Sequence, residues 1–181
     1  MIVSDAILVK SFCDGNDLAF VNLYNRYKHP IYIFCFKMLD DSNSAEDIVQ
    51  NIFFKFYERK NQISQPERLK QWLYAVARNE CLSYIEKSKR TSPLDSENEI
   101  DSGRSFHGQY DSEEEVRHLS NAIEQLTQEY REVLLLRLYN DLSYKEIAEI
   151  LDLKETVVKS RLFEARKKLY KILKPIFEER A

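Results

Sequence analysis

The stretch "SYKEIAEILDLKETVVKSRL", from Ser143 to Leu162, decides the fold of the C-terminal part of this chain. Ser143 and Glu146 have the spacing of a capping box, which predicts that a helix begins here. Asp152 follows the apolar face of that helix, at a position where a tight turn needs positive φ, and Asp tolerates that conformation better than most residues. A second helix then begins, so the order of elements predicts a helix–turn–helix.

The two predicted helices carry apolar anchors and, in the second one, a strong basic bias. The expected inward residues are Ile147, Ile150, Leu151, Leu153, Val158, Leu162 and Leu169. Ala148 leaves room for a close helix crossing, and residues 154–174 hold eight Lys or Arg against two Glu. This combination favours a helix that enters a DNA groove over the alternative, a solvated charged helix packed on its own domain.

The overall charge argues against a simple repressor. The 181-residue chain has a net charge of −3, whereas a freestanding DNA binder usually has a more basic domain. Either the basic helix works as a dimer, or another molecule supplies the main hold on DNA.

A change of composition divides the chain into two halves. Residues 91–115 contain eight Asp or Glu against one Arg and have no periodic apolar pattern, which predicts a flexible, extended linker. We expect an N-terminal helical domain over residues 1–90, an acidic linker over 91–112 and a C-terminal helix–turn–helix domain over 113–181. Since Gly and Pro are few and helical periods prevail, the predicted fold class is all-α, with two small helical domains.

Helical periodicity also marks the start of the N-terminal half. Ser4 or Asp5 is expected to cap a first helix that ends near Gly15. The inward stripe of the next helix is predicted to be Leu23, Tyr27, Ile31, Phe34 and Met38. Pro30 should kink this helix or start a new one. The run "IYIFCF" at 31–36 could alone be a buried strand, but helix is favoured because no partner strand lies nearby.

Two further amphipathic helices complete the N-terminal half. Ser44 with Asp47 is predicted to cap the third helix, and Pro66 fits the first turn of the fourth. The inward residues are predicted to be Ile48, Val49, Ile52, Phe53 and Phe56 in the third helix, and Leu69, Leu73, Val76, Ala77, Tyr84 and Ile85 in the fourth. In the C-terminal half, Ser112 and Thr127 are predicted to open two more helices.

The sequence shows no pattern typical of a membrane segment or an enzyme. Its longest apolar run is too short for a bilayer, and Asp5 and Lys10 interrupt any signal-peptide core, so we expect a cytoplasmic protein without stable membrane insertion. The cysteines and histidines are Cys13, Cys35, Cys81, His29, His107 and His118. Their scatter, without a CxxC, HExxH or P-loop pattern, predicts buried thiols and no metal, cofactor or catalytic site.

Three stretches resemble the bacterial sigma factors of the extracytoplasmic-function group. The sequence "YREVLLLRLYNDLSYKEIAEILDLKETVVKSRLFEARKKL" at 130–169 resembles their promoter-binding C-terminal domain. "SAEDIVQNIFFKFY" at 44–57 is similar to their helix that binds core polymerase, and "WLYAVARNECLSYI" at 72–85 is similar to the helix that handles the melted promoter. The order of these stretches and the place of the linker agree with that group.

The resemblance implies a function in transcription initiation. RNA polymerase core would bind the protein, the C-terminal domain would read the minus-thirty-five promoter DNA as duplex, and the N-terminal domain would capture the opened minus-ten strand. Polymerase would then supply most of the contacts with DNA, which explains why the sigma subunit itself can be acidic. The resemblance also implies an anti-sigma factor as a partner and no cofactor.

The resemblance further implies site residues. For the minus-thirty-five element they are Lys154, Lys159, Ser160, Arg161, Phe163, Arg166 and Lys167, and Lys167 and Lys168 would lie nearer phosphates. For the minus-ten strand they are Arg68, Lys70, Arg78 and Asn79, and for polymerase they are Asp47, Gln50 and Asn51. Glu164 stands where relatives often have a basic residue, which makes a cytosine amine a candidate partner.

Several alternatives remain open at this level. Trp72 lies beside the apolar stripe, which favours a place in the core over a role as a stacking platform for bases. Asn79 is either a base-binding residue or a solvated helix residue. Asp47 either contacts polymerase or only caps its helix. The rival function is a two-domain helix–turn–helix regulator with an N-terminal sensing or dimerisation domain. A helical scaffold that touches no nucleic acid is the third reading.

Overall fold

The structure, a computed structural model, describes residues 3–91, 112–140 and 142–178. Within these ranges the regular structure is helical and contains no strand, which confirms the predicted all-α class. The helices are α1 Asp5–Cys13, α2 Asp17–Leu39, α3 Ser42–Glu58, α4 Leu69–Thr91, α5 Ser112–Glu124, α6 Gln128–Leu138, α7 Tyr144–Leu151 and α8 Glu155–Glu178, and the 3-10 turns Lys60–Gln62 and Pro66–Arg68 join α3 to α4. Almost all of the predicted linker, residues 92–111, lies outside the described residues.

The first two helices follow the sequence prediction except at Pro30. α1 begins after Ser4, and Gly15 beyond its end has a φ of +98°. All five residues of the inward stripe predicted for α2 are buried. Pro30 lies inside α2 and does not start a new helix, so "IYIFCF" is helical. Buried side chains on both sides of Pro30 stabilise the turn in which proline removes a backbone donor.

The beginning of α3 corrects one prediction. Asp41, and not Ser44, caps the helix: its side chain accepts hydrogen bonds from the backbone N–H groups of Asn43 at 3.0 Å and Ser44 at 3.3 Å. The Ser44 hydroxyl donates to the same carboxylate at 2.7 Å, and this bond lowers the pKa of Asp41. The cap lies earlier because α2 ends in the left-handed residue Asp40, which turns the chain and leaves Asp41 at the free N–H groups. The predicted inward stripe of α3 is buried at all five positions.

The predicted inward stripe of α4 is correct at its start and wrong at its end. Its first turns are buried, while Val76 and Ile85 are half-buried and Tyr84 is 38% exposed. Cys81 takes the inward position at that level of the helix. Tyr84 therefore points away from the core, and its hydroxyl donates to Asp41 at 3.2 Å.

The C-terminal helices build a second packed group that rests on the first one. α5 begins at Ser112 and α6 follows Thr127, as predicted. The buried apolar residues of the group are Ala122, Ile123, Leu126, Val133, Leu134, Leu135, Leu136, Leu142, Ile147, Ala148, Ile150, Leu151, Val158, Leu162 and Ala165. α4 contacts α7 and α2 contacts α6, so the apolar cores of the two halves are continuous. No helix in the described ranges has both the length and the apolarity needed to cross a membrane.

Candidate nucleic-acid interface

The helix–turn–helix has the geometry that its sequence predicts. The Ser143 hydroxyl accepts a hydrogen bond from the Glu146 N–H at 3.2 Å, and the Glu146 carboxylate accepts one from the Ser143 N–H at 2.8 Å, which completes the capping box. Burial opposes ionisation of Glu146, but the hydrogen bonds from Ser143 and the charge of Lys70 outweigh it and lower the pKa of this carboxyl. Asp152 ends α7 at φ 53° and ψ 50°, and Leu153 packs against the core from the turn.

We expect Ser143→Ala to lower the free energy of unfolding by about 1 kcal/mol, because it removes a cap from the α7 N-terminus. Urea unfolding followed by circular dichroism measures the change. Ser4→Ala is a matched control, because Ser4 precedes α1 without a side-chain cap hydrogen bond. Equal losses for the two variants would contradict a specific role of the capping box.

Helix α8 has one face in the core and one face in solvent. Val158, Leu162 and Ala165 are almost fully buried and anchor the helix against α6 and α7. The opposite side, which we name the recognition face, consists of the exposed residues Lys159, Ser160, Phe163, Arg166 and Lys167. Phe163 is 66% exposed although it is aromatic. A large apolar side chain held out among cations suits contact with base edges in a groove.

Two predicted contact residues near this face already have partners within the chain. The Lys159 ammonium lies 2.9 Å from the Glu155 carboxylate and 5.6 Å from the centre of the Tyr144 ring. Arg161 lies 3.1 Å from the Glu129 carboxylate of α6, and its side chain is 23% exposed. Arg161 therefore faces α6 and lies off the recognition face, whereas the exposed Lys154 lies just before α8 begins.

The four residues predicted for the opened strand all lie on one helical segment. Arg68, Lys70, Arg78 and Asn79 lie on the turn before α4 and on α4 itself, and we name this group the minus-ten surface. Asn79 is exposed, whereas Arg78 is only 25% exposed. Trp72 is half-buried and its ring lies 6.0 Å from that of Phe56, so it packs in the core as favoured from the sequence.

The outer face of α3 carries the residues predicted to bind polymerase. Asp47, Gln50 and Asn51 are all exposed. Beside them a shallow groove of about 370 Å³ runs between α2 and α3, lined by Phe20, Tyr24, Gln50, Phe53, Phe54 and Tyr57. Phe54 is 62% exposed. Sequence reasoning missed Phe54, although its position outside the inward stripe of α3 was a usable signal.

Comparison with known proteins identifies both halves of the chain. The family model for Sigma-70 region 2 matches residues 23–91, and the model for Sigma-70, region 4 matches residues 117–169. The ECF RNA polymerase sigma factor SigW of Bacillus subtilis (strain 168) is 31% identical over 179 residues, which cover 93% of this chain and 96% of SigW. This chain belongs to the extracytoplasmic-function sigma factors. The sigma factor directs RNA polymerase to promoters, and its family is not a family of enzymes. The comparisons give no support to the alternative function, a two-domain helix–turn–helix regulator.

Two solved structures share the fold of the sigma factor. CnrH, in complex with the cytosolic domain of CnrY, matches with a TM-score of 0.73 at 22% identity, over 94% of this chain and 97% of CnrH. The sigma factor RpoE from Bartonella quintana, in complex with the anti-sigma factor NepR, matches with a TM-score of 0.72 at 24% identity, over 86% and 96% of the two chains. Both matches extend over helices of both halves.

Proposed function

We propose that this sigma factor uses three surfaces at a promoter. The recognition face of α8 reads the minus-thirty-five duplex, the minus-ten surface binds the opened strand, and the outer face of α3 contacts RNA polymerase core. The observation that carries the proposal is the division of α8 into a buried anchor and an exposed cationic face, because a helix held in this way presents fixed side chains to a groove.

The recognition face contains groups for both bases and phosphates. Lys159 and Ser160 supply polar contacts, and Phe163 offers an apolar surface to a thymine methyl group. Arg166 and Lys167, further along the exposed side, are placed for phosphates, which position the helix without reading sequence. Arg161 pairs with Glu129 of α6 and so helps to fix α8 on the domain.

The minus-ten surface has the composition that a single strand requires. Its three cations attract the phosphate backbone, and the exposed amide of Asn79 can donate to and accept from a base edge. A base taken out of the stack costs a few kcal/mol, which contacts of this kind offset.

Further parts of the proposal concern partners and organisation. The complex of RpoE with the anti-sigma factor NepR supports an anti-sigma factor as a partner of this chain as well. Residues 1–90 and 113–181 act as separate promoter-binding domains joined through residues 91–112. The protein acts in the cytoplasm together with polymerase and has no catalytic activity of its own.

The proposal is tested with core polymerase and a library of random promoter sequences. We expect promoter-specific transcripts with the intact protein, and we expect Lys159→Ala to weaken promoter binding roughly 5- to 150-fold, which corresponds to the ~1–3 kcal/mol of one base contact. Sequencing the selected promoters shows whether the preference is relaxed at one position of the minus-thirty-five element.

Lys174→Ala is the matched control for Lys159→Ala. Lys174 lies on the same helix and also pairs with a glutamate four residues away, Glu178, but it lies beyond the recognition face. Its substitution should leave promoter choice unchanged. Tight duplex binding without polymerase, together with no transcript in its presence, would contradict the proposal.

A further inference from the structure

Given the proposed function of the recognition face, on which this inference rests, we propose that Glu155 and Lys159 act as one unit that reads a single G·C base pair of the minus-thirty-five duplex. Tyr144 holds this unit in place. Glu155 is thus a specificity-determining residue, although it lies one turn before the recognition face.

Glu155 is a carboxylate at the end of α8 that faces DNA in the proposed complex. It is the first residue of the helix, and its side chain is 46% exposed. A carboxylate in a DNA groove repels the nearby phosphates, so it weakens binding to every sequence. The N-terminal residues of a recognition helix are also the ones that contact base edges. The position of Glu155 therefore suits a group that accepts from a base and provides selectivity rather than overall affinity.

The pair of Glu155 and Lys159 has the spacing of a base-pair edge. The Lys159 ammonium and the Glu155 carboxylate lie 2.9 Å apart, and the N–H···O hydrogen bond between the cytosine amine and guanine O6 has a similar length of about 2.9 Å. An ammonium has three donors, so Lys159 keeps two of them for guanine N7 and O6 while the third remains for Glu155. The carboxylate keeps free lone pairs that can accept from the cytosine amine.

An A·T base pair offers a poorer match to the same two groups. Its major-groove edge also places an amine beside a carbonyl oxygen, but the thymine methyl group flanks that oxygen and the acceptor N7 flanks the adenine amine. The ammonium would then face a methyl group, and the carboxylate would face a second acceptor. A G·C pair is therefore the base pair that the donors and acceptors of Glu155 and Lys159 fit.

Tyr144 restricts where the Lys159 ammonium can lie. The ammonium is 5.6 Å from the centre of the Tyr144 ring, and the Arg137 guanidinium is 5.5 Å from the same centre. Tyr144 is half-buried at the start of α7 and packs against the core, so the ring is anchored. The attraction of a cation to this ring holds Lys159 although its side chain is 55% exposed. A side chain held in this way loses less conformational entropy when it meets a base edge.

The experiment measures the preference for each base pair of a minus-thirty-five element selected from the random library, with full-length sigma factor bound to core polymerase. Competition binding compares the selected promoter with promoters in which one base pair is replaced by A·T or inverted. We expect the unaltered protein to prefer one G·C pair roughly 5- to 150-fold. Glu155→Ala and Lys159→Ala should each lower this preference at least about fivefold at the same position. The double variant should lower it no further than the stronger single variant, because the two residues act together.

Glu178→Ala is the matched control for Glu155→Ala. It removes an equal charge from a Lys–Glu pair of the same helix, beyond the recognition face, and should leave the preference for every base pair unchanged. Tyr144→Leu should lower the preference for the G·C pair about two- to fivefold, because the cation loses its ring, whereas Tyr144→Phe keeps a ring and should retain the preference. Should Tyr144→Leu fail to fold, the exposed position of Glu155 still allows the main comparison.

The possible outcomes distinguish a failure of the pair from a failure of the recognition face. If Lys159→Ala relaxes one position and Glu155→Ala leaves it unchanged, the two residues do not act as a unit and the proposal is overturned. It is also overturned if the two variants relax different positions, if the shared position is A·T, or if Glu178→Ala has the same effect as Glu155→Ala. If Lys159→Ala relaxes no position, the proposed base contact of the recognition face fails, and the role of Glu155 fails with it.

Discussion

Leu162→Ala is expected to destabilise the C-terminal helices by about 2–5 kcal/mol and to abolish promoter-directed transcription at growth temperature. Leu162 is 2% exposed and joins α8 to the core, so its truncation leaves a cavity that the surrounding helices fill only in part. A loss of this size is a large part of the ~5–15 kcal/mol that holds a typical domain together. Urea unfolding and single-round transcription with core polymerase measure the two effects.

The adjacent Phe163→Ala is the matched control, because the two residues point to opposite sides of the same helix. Phe163 is 66% exposed, so its truncation should leave the free energy of unfolding almost unchanged. It should still weaken promoter binding about tenfold, since the proposed contact to base edges is lost. If Phe163→Ala destabilised the fold as much as Leu162→Ala, the assignment of the recognition face would be wrong.

Phe54→Ala is expected to weaken binding to core polymerase by about 30-fold without loss of stability. Phe54 is 62% exposed beside Gln50 and Asn51, and an exposed aromatic side chain at the centre of an interface typically contributes 2 kcal/mol or more, which corresponds to roughly 30-fold in affinity. Titration of labelled sigma factor with core polymerase measures the dissociation constant.

Ile7→Ala is the control for this second prediction. Ile7 on α1 is 61% exposed, so an equally accessible apolar side chain is removed at a place outside the groove. The Ile7→Ala variant should bind polymerase with the same affinity as the unaltered protein. Similar losses for both variants would indicate a general effect of surface hydrophobicity instead of a polymerase contact.

The sequence was a sound guide wherever a local period or cap is decisive. The stripes of α2 and α3, the capping box of α7 and the left-handed Asp152 were all predictable, because each depends on residues within one or two helical turns. The cap of α3 was not predictable in this way, since Ser44 and Asp41 are both good capping residues. The choice between them followed from the place where Asp40 ends the preceding helix.

By itself, then, the sequence determined the all-helical class of the chain and which side of α8 faces solvent, because side-chain periodicity is a property of the local backbone. Only the tertiary structure decided that Arg78 pairs with Glu132, 54 residues further along the chain, and that Tyr84 turns away from the core. These contacts depend on how whole helices pack against one another, and no spacing within a single helix encodes that arrangement.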